Sequence, residues 1–193
     1  MSSGRKLLKP KAYIYPLPVL MVGTYDENDN ANAMNAVWGT VYNATQVFIR
    51  LDSRRKTVKN ILARKAFTVS IADDKNVAFA DYVGVVSSND VPDKLKKTGW
   101  TAKKSEFVDA PVFDQLPLCL ECTLVSYDPV AETCIGEVVS VSADENIVNA
   151  NGQIDLTKFK PICYDCGTRG YYTLGDKVGQ AFSDGLKIKD SNP

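Results

Sequence analysis

The chain has 193 residues, which is long enough for one well-buried core and short for two domains. Its 23 Lys and Arg residues balance 23 Asp and Glu residues, which argues against a nucleic-acid or polyanion binder, because such a protein needs a basic excess. Histidine is absent, and this excludes Ser-His-Asp and Cys-His catalysis, HExxH zinc chemistry and His-ligated haem.

Several further classes are disfavoured by what the chain lacks. No stretch approaches the ~20 apolar residues of a membrane span, so we expect no membrane association. The first residues, MSSGRKLLKPK, are basic but have no apolar core behind them, so they do not predict a secretory signal, and the cytoplasm is the expected location. Neither GxGxxG nor GxxxxGK[ST] occurs, so any nucleotide is bound in another way.

The first third of the chain predicts strands joined by turns. Residues 1–12 are expected to form a loose arm. The apolar run VLMVGTY, a turn signal at 26–30 and the small-residue run ANAMNA predict a hairpin. A β-type run at 46–51 then leads through a basic turn into a helix at 57–65, which has the i, i+3, i+4 apolar pattern at Val58, Ile61 and Leu62.

The rest of the chain alternates strands with a few short helices. The predicted elements are a strand at 67–71, a helix capped by Asp73-Asp74 and running through Tyr82, a short helix at 93–97, a connecting excursion at 100–114, long strands at 116–127 and 133–141, a short strand at 171–175 and a polar tail at 186–193. Because helices are few and scattered among many strands, we predict one mainly β domain over 1–193, an antiparallel β-barrel with helices on its outside.

The turn at 52–56, DSRRK, is a candidate anion site. It places Arg and Lys side chains at a helix start, where free backbone amides and the positive end of the helix dipole face an incoming group. The plainer interpretation is a solvated basic turn before a surface helix. The small-residue strand and Trp38 just upstream favour a site, because they could seat a flat ring beside the anion.

These strings occur together in a known order. NAMNAVWG, a strand, RKTVKNI and KAFTVSI are followed by ADYVG, DKL, TG, DAP, LECTL, GEVV and YYTLG. The order and spacing resemble the flavin reductase-like family, and within it the flavoredoxins, over most of the chain. The resemblance implies a split β-barrel of the FMN-binding type, a homodimer, and FMN near the subunit interface.

The resemblance also implies a function and a set of FMN-binding residues. Family members take electrons from NAD(P)H to reduce flavin, or pass electrons through FMN between protein partners, and the cofactor carries the redox chemistry. Asn35 with the backbone of Ala36 and Val37 would bind the ring edge, Trp38 would pack at the ring, and Lys94 would place positive charge near it. The phosphate would contact Arg50, Arg55 and Thr57 with help from Ser87, and Leu51 lies beside them.

Two of these implications leave alternatives open. The turn is more basic than in flavoredoxins, so Arg54, Arg55 and Lys56 all remain candidates for the phosphate. Without the resemblance, Lys94 reads as a solvated surface lysine. A non-catalytic flavin-binding module is the alternative function.

The cysteines suggest two further interpretations. Cys119-Leu120-Glu121-Cys122 and Cys163-Tyr164-Asp165-Cys166 are CxxC pairs, which could form a zinc site in a structural protein, and the second pair could be redox-active. Against zinc, residues three apart in a strand point to opposite faces. We therefore expect free thiols, those of the barrel wall being buried as small hydrophobes, and no metal.

Overall fold

A curled seven-stranded antiparallel sheet forms the centre of the computed structural model, which describes residues 4–189. Its strand order is β3-β2-β6-β9-β10-β5-β4, and a three-stranded sheet β1-β11-β12 and a hairpin β7-β8 flank it. The strands are β1 (Leu17–Pro18), β2 (Leu20–Tyr25), β3 (Ala31–Ala36), β4 (Gly39–Val41), β5 (Gln46–Arg50), β6 (Ala66–Ile71), β7 (Ala102–Lys104), β8 (Pro111–Phe113), β9 (Leu118–Asp128), β10 (Thr133–Ala143), β11 (Ile162–Tyr164) and β12 (Tyr171–Thr173).

The helices are short and lie outside the sheet. They are α1 (Lys56–Arg64), α2 (Val77–Val85) and α3 (Leu186–Lys189), with 3-10 turns at Lys94–Lys97 and Glu145–Ile147. Within residues 4–189, no helix is both long and apolar enough to cross a membrane. This mainly β architecture, with helices on the outside of a half-barrel, confirms the predicted fold class.

Strand β2 separates two apolar cores because its side chains alternate between the faces of the sheet. Leu20 and Val22 pack into a core that contains Val58 and Ile61 of α1. Val19, which precedes the strand, and Met21 pack into a second core with Ala80 and Val83 of α2. The two helices therefore cover opposite faces of the same strands.

The long strands β9 and β10 bend the sheet. Their register shifts twice, between Ile135 and Gly136 and between Val138 and Ser140, and such irregularities increase local bend and twist. Glycine is required at position 136, because a Cβ there would overlap the ring of Phe67, which is completely buried. Burying a side chain of this size contributes ~1.5–3 kcal/mol to folding.

Several predicted boundaries moved in the structure. Helix α2 begins after Asn76, since Asp73 instead forms a bridge to Pro161 and accepts a hydrogen bond from the Asn76 side chain. The predicted connecting excursion at 100–114 contains the β7-β8 hairpin, and the short strands β1, β4 and β11 were not predicted. Strands of two or three residues carry too few side chains to show a period of two.

The predicted N-terminal arm and C-terminal tail lie only partly within the described residues. Residues 4–12 form no helix or strand and are exposed, although the side chain of Lys11 donates to the carbonyl oxygen of Cys166. In the predicted tail, Leu186–Lys189 form α3. Residues 1–3 of the predicted arm and 190–193 of the predicted tail lie outside the described residues.

Candidate functional site at the start of helix α1

The basic turn between β5 and α1 carries three cations, and two of them are neutralised. The Arg54 guanidinium lies 2.6 Å from the Asp52 carboxylate, and Lys56 lies 2.7 Å from Glu27. Arg55 is exposed and makes no ion pair or side-chain hydrogen bond within residues 4–189. Of the three candidates for an anion partner, Arg55 therefore has its charge uncompensated.

The first turn of α1 is open to a ligand. Arg55 is the N-cap residue and its side chain does not cap the helix, and the first turn contains no acidic residue. The amides of Val58 and Lys59 bond to the Arg55 carbonyl at 3.1 and 3.3 Å, whereas those of Lys56 and Thr57 have no acceptor within the described chain. Two free donors and the positive end of the helix dipole are thus located beside Arg55.

A buried polar chain fixes Thr57 and the neighbouring loop. The Asn32 side chain on β3 donates to the Thr57 hydroxyl at 2.8 Å, and the Ser88 hydroxyl donates to Asn32 Oδ1. Thr57 is 2% exposed, and its own hydroxyl hydrogen has no acceptor among residues 4–189. Asn89 donates to the Arg54 carbonyl at 3.1 Å, so the loop after α2 is fastened to the basic turn.

A shallow depression, here called the α1 hollow, lies between that loop and the start of α1. Four predicted site residues meet in it: Arg55, Thr57, Ser87 and Lys94. Its other lining residues are Asn32, Met34, Lys56, Val83, Gly84, Val86 and Ser88. Arg55 and Ser87 also line a second depression beside Asp52 and Asn89, so the basic side of the α1 hollow continues towards solvent.

Lys94 is buried, so its interpretation as a solvated surface lysine was wrong. It is 2% exposed, and its ammonium donates to the carbonyl oxygens of Val83 and Val86 at 2.6 and 2.8 Å. These carbonyls lie at the C-terminal end of α2, where the helix dipole favours a cation. Burial, and to a smaller extent the charge of Arg55, lower the pKa of Lys94 to about 8. The α1 hollow therefore contains a cation that titrates in an accessible pH range.

The other predicted site residues lie outside the α1 hollow. Asn35 donates to the Ala80 carbonyl at 3.1 Å and packs against Gly84 on α2. Trp38 is half-exposed beside the Arg50 guanidinium, which lies 5.8 Å from its ring centre and 3.0 Å from Glu132.

The other three predicted site residues, Ala36, Val37 and Leu51, lie at or just after the ends of β3 and β5. Ala36 is buried in the core around α1, and Val37 packs against the core around α2. Leu51 is 1% exposed, and its carbonyl accepts a hydrogen bond from the Tyr127 hydroxyl. The roles of these six residues at a flavin stay predictions.

Sequence reasoning did not assign Asn32 and Met34 to the site. The signal was the period of two along β3, which places Asn32 and Met34 on one face and Asn35 on the other. Because α1 covers the first face and α2 the second, the two asparagines of ANAMNA have different neighbours.

The five cysteines are free thiols at two locations. Cys119, Cys122 and Cys134 are buried in β9 and β10, and burial raises the pKa of all three, to about 11 for Cys119 and about 12 for Cys134. This confirms that they pack as small hydrophobes. Cys163 is half-buried on β11 and Cys166 is buried in the following turn. Within residues 4–189, no three acidic or cysteine side chains are placed to hold a metal ion.

The fold and family together define a flavin-related, oxidoreductase-type domain. The family model for the flavin reductase like domain matches residues 12–167, and the chain belongs to this family. The flavoredoxin of Desulfovibrio vulgaris (Miyazaki F) is 32% identical, with a TM-score of 0.89 over 94% of this chain and 99% of that one. These matches confirm the predicted family and the split-barrel fold.

More distant proteins share the fold. The flavoredoxin from Methanosarcina acetivorans is 24% identical, with a TM-score of 0.84 over 95% of this chain and 100% of that one. An FMN-binding domain of a flavin reductases-like enzyme from Shewanella baltica is 21% identical, with a TM-score of 0.75 over 84% and 88% of the two chains.

An uncharacterized protein of Aquifex aeolicus is 25% identical over 147 residues, which are 75% of this chain and 63% of that protein.

Proposed function

We propose that the protein is an FMN-dependent oxidoreductase of the flavoredoxin or flavin reductase type, which moves electrons from NAD(P)H or a protein donor through FMN. The observation that carries this proposal is the open start of α1, where Arg55, which has no ion pair among residues 4–189, lies beside Ser87 and the buried Thr57 and Lys94. FMN, when bound, would supply the redox chemistry. The chain would bind FMN, orient it and provide charged groups around it.

The donors at the start of α1 fit a phosphate. The free amides of Lys56 and Thr57 supply two hydrogen bonds, and the Arg55 guanidinium can add a bidentate, charge-assisted pair. The unused hydroxyl hydrogen of Thr57 supplies a further donor. We assign the phosphate to these groups, with Ser87 assisting, because Arg54 and Lys56 already hold carboxylates.

Arg50 is the weaker phosphate candidate among the predicted residues. Its guanidinium is paired with Glu132 and lies against Trp38, so it would have to exchange an existing partner for the phosphate. We propose instead that Arg50 orients Trp38, with Leu51 anchoring the strand end behind it, while Trp38 packs at the flavin ring. Asn35 and the backbone of Ala36 and Val37 would bind the ring edge.

Lys94 would supply positive charge to the bound flavin from inside the protein. Its ammonium is held by the carbonyls of Val83 and Val86, which fix its position without neutralising its charge. A fixed cation of this kind stabilises an anionic group in its neighbourhood, including an anionic reduced ring.

The proposal predicts a coloured, redox-active preparation. We expect the visible bands of oxidised flavin at about one FMN per chain, and bleaching after anaerobic NADH, NADPH or a reduced protein donor. A colourless protein that does not bind added FMN at micromolar concentration would contradict the proposal. A yellow protein that no donor reduces would favour a non-catalytic flavin-binding module.

We also propose that the chain forms a homodimer in the cytoplasm. Exposed apolar side chains occur on the adjacent strands β9 and β10 of the half-barrel, at Val125, Val139 and Val141, and on the edge strand β4 at Val41, and exposed apolar surface of this kind can mark an interaction surface. Light scattering should give the mass of a dimer, and Val141→Lys should weaken it more than Ser142→Lys, its exposed neighbour on β10. A flavin-loaded monomer at working concentration would contradict the dimer.

A further inference from the structure

A second cavity, of about 450 Å³, lies away from the α1 hollow, and we call it the tyrosine pocket. It is bounded by Tyr15 and Pro16 of the N-terminal segment, by β11 and by the end of β12 with the residues that follow it. Its size falls within the range of small-molecule sites. Three tyrosines, Tyr15, Tyr164 and Tyr172, contribute to its walls, together with Leu174 and the half-buried thiol of Cys163.

The walls of the tyrosine pocket are fixed by contacts inside the chain. The Tyr15 hydroxyl donates to the carboxylate of Asp165, which holds the N-terminal segment against the turn after β11. The ring of Tyr164 packs at a tilt on Tyr171, with 5.9 Å between the ring centres. Tyr171 in turn donates to Asp81 on α2 at 2.8 Å. The chain's own contacts therefore hold these walls in place, which limits the ordering cost of binding.

Among residues 4–189, the tyrosine pocket offers a ligand neither a cation nor an unoccupied carboxylate acceptor. Within the described part of the chain, residues 4–189, none of the residues that line it is Lys or Arg, and Asp165 is the one carboxylate. That carboxylate already accepts hydrogen bonds from the Tyr15 and Thr168 hydroxyls and from the amides of Gly167 and Thr168. These donors, the Thr168 hydroxyl above all, hold the pKa of Asp165 far below its usual range. An anionic ligand would therefore lose hydration without gaining a cationic partner, and a cationic ligand would find the four acceptor sites of Asp165 already occupied.

We propose that the tyrosine pocket binds an uncharged planar ring, supplied either by the nicotinamide of a reduced dinucleotide or by a free aromatic molecule. Flat rings gain most from contact with tyrosine faces and edges. The first source rests on the proposed function, because it makes the pocket the place of the electron donor. Asn35, the predicted ring-edge residue, bonds to Ala80, and Tyr171 bonds to Asp81, so the same turn of α2 fixes both regions.

The thiol of Cys163 allows a direct test. The full chain is treated with N-ethylmaleimide at increasing concentrations of N-benzyl-1,4,5,6-tetrahydronicotinamide, an uncharged and redox-inert relative of reduced nicotinamide, and labelling of each cysteine is followed by mass spectrometry. We expect the probe to slow the labelling of Cys163 at least ~5-fold, because it covers the wall that carries the thiol. The buried Cys134 provides the unlabelled reference.

Matched variants locate the probe. Tyr172→Ala removes an exposed ring from the wall and should raise the probe concentration needed for half-protection about tenfold, as expected for the loss of an aromatic contact. Tyr13→Ala removes an exposed tyrosine of the same N-terminal segment that does not line the tyrosine pocket, and should change nothing. Equal protection in all three proteins would overturn the proposal.

A second ligand separates the two sources. If 1,4,5,6-tetrahydro-NAD protects Cys163 at least as well as the benzyl probe, the ring belongs to a dinucleotide, and if the benzyl probe alone protects, it belongs to a free aromatic molecule. The proposal fails if neither protects, if FMN alone protects, or if Cys163 resists labelling as strongly as Cys134 before any ligand is added. FMN binding is measured separately by absorbance, so failure of the proposed function is seen independently.

Discussion

The α1 hollow and the tyrosine pocket differ most in the charge of their walls. The first collects Arg55, the buried ammonium of Lys94 and two free helix amides. The second collects tyrosine rings around a carboxylate that is already saturated with hydrogen bonds. The first is therefore suited to a phosphate and the second to a neutral ring, so the two regions would recognise their proposed ligands, the FMN phosphate and a separate uncharged ring, by different physical means.

The largest effect that distinguishes these regions is expected from Arg55. FMN differs from riboflavin by its phosphate, so Arg55→Ala should weaken FMN about tenfold to hundredfold and leave riboflavin almost unchanged. Arg54→Ala is the matched control, because Arg54 is the neighbouring arginine and is paired with Asp52. Fluorescence titrations with both ligands measure the difference. Equal losses for FMN and riboflavin would mean that Arg55 supports the ring or the fold.

A smaller effect is expected from the two asparagines of β3. Asn32→Ala removes the hydrogen bonds that position Thr57 and Ser88, so FMN affinity should fall about fivefold and riboflavin affinity should change little. Asn35→Ala should weaken both ligands to the same extent, because Asn35 is assigned to the ring. The same titrations decide. If Asn32→Ala affected riboflavin as much as FMN, the phosphate assignment of the α1 hollow would be wrong.

Binding of the FMN phosphate should be accompanied by uptake of a proton by Lys94. Burial lowers its pKa to about 8, so roughly half of the free protein carries the charged form at pH 8. A dianion nearby favours the ammonium and raises this pKa, so FMN binding at pH 8 should take up a fraction of a proton. Calorimetry in buffers of different ionisation enthalpy measures the uptake, which should disappear in Lys94→Met. Proton release would contradict the placement of Lys94.

Lys94 also predicts a pH dependence of stability. Its pKa is about 8 when folded and 10.5 in its reference state, so between these values the unfolded chain binds more protons. The contribution of Lys94 to the free energy of unfolding should therefore rise with pH across this window and be constant below it. Urea titrations of the wild type and Lys94→Met at pH 7, 9 and 10 test the sign. A contribution that falls between pH 8 and 10 would contradict it.

The smallest effect is expected from the second CxxC pair. Cys163 and Cys166 lie at the tyrosine pocket and its adjoining turn, and the α1 hollow contains neither. Because Ser is close to Cys in size, replacing both should leave FMN affinity, and the rate of flavin reduction at saturating donor, within about twofold. Stopped-flow reduction of the FMN-loaded protein checks this. Loss of reduction with FMN still bound would show that the pair belongs to the electron path.

Much of the fold and part of the site followed from the sequence by itself. The hairpin of β2 and β3, the amphipathic pattern of α1 and the long strands β9 and β10 follow from local patterns, because turn signals and the periods of strands and helices are found in neighbouring residues. The basic turn and the resemblance marked Arg55, Thr57, Ser87 and Lys94, and the structure brings these four residues together. The absence of histidine excluded the histidine-dependent catalytic classes.

The tertiary structure decided which charges are free and which groups are buried. Arg54 and Lys56 are neutralised by Asp52 and Glu27, and only the folded chain shows that Arg55 has no such partner among residues 4–189. Lys94 is buried because the end of α2 folds over it and binds its ammonium. The tyrosine pocket joins residues about 150 positions apart, as the Tyr15–Asp165 contact shows. Such pairings depend on which distant surfaces meet, and a local sequence pattern does not contain that information.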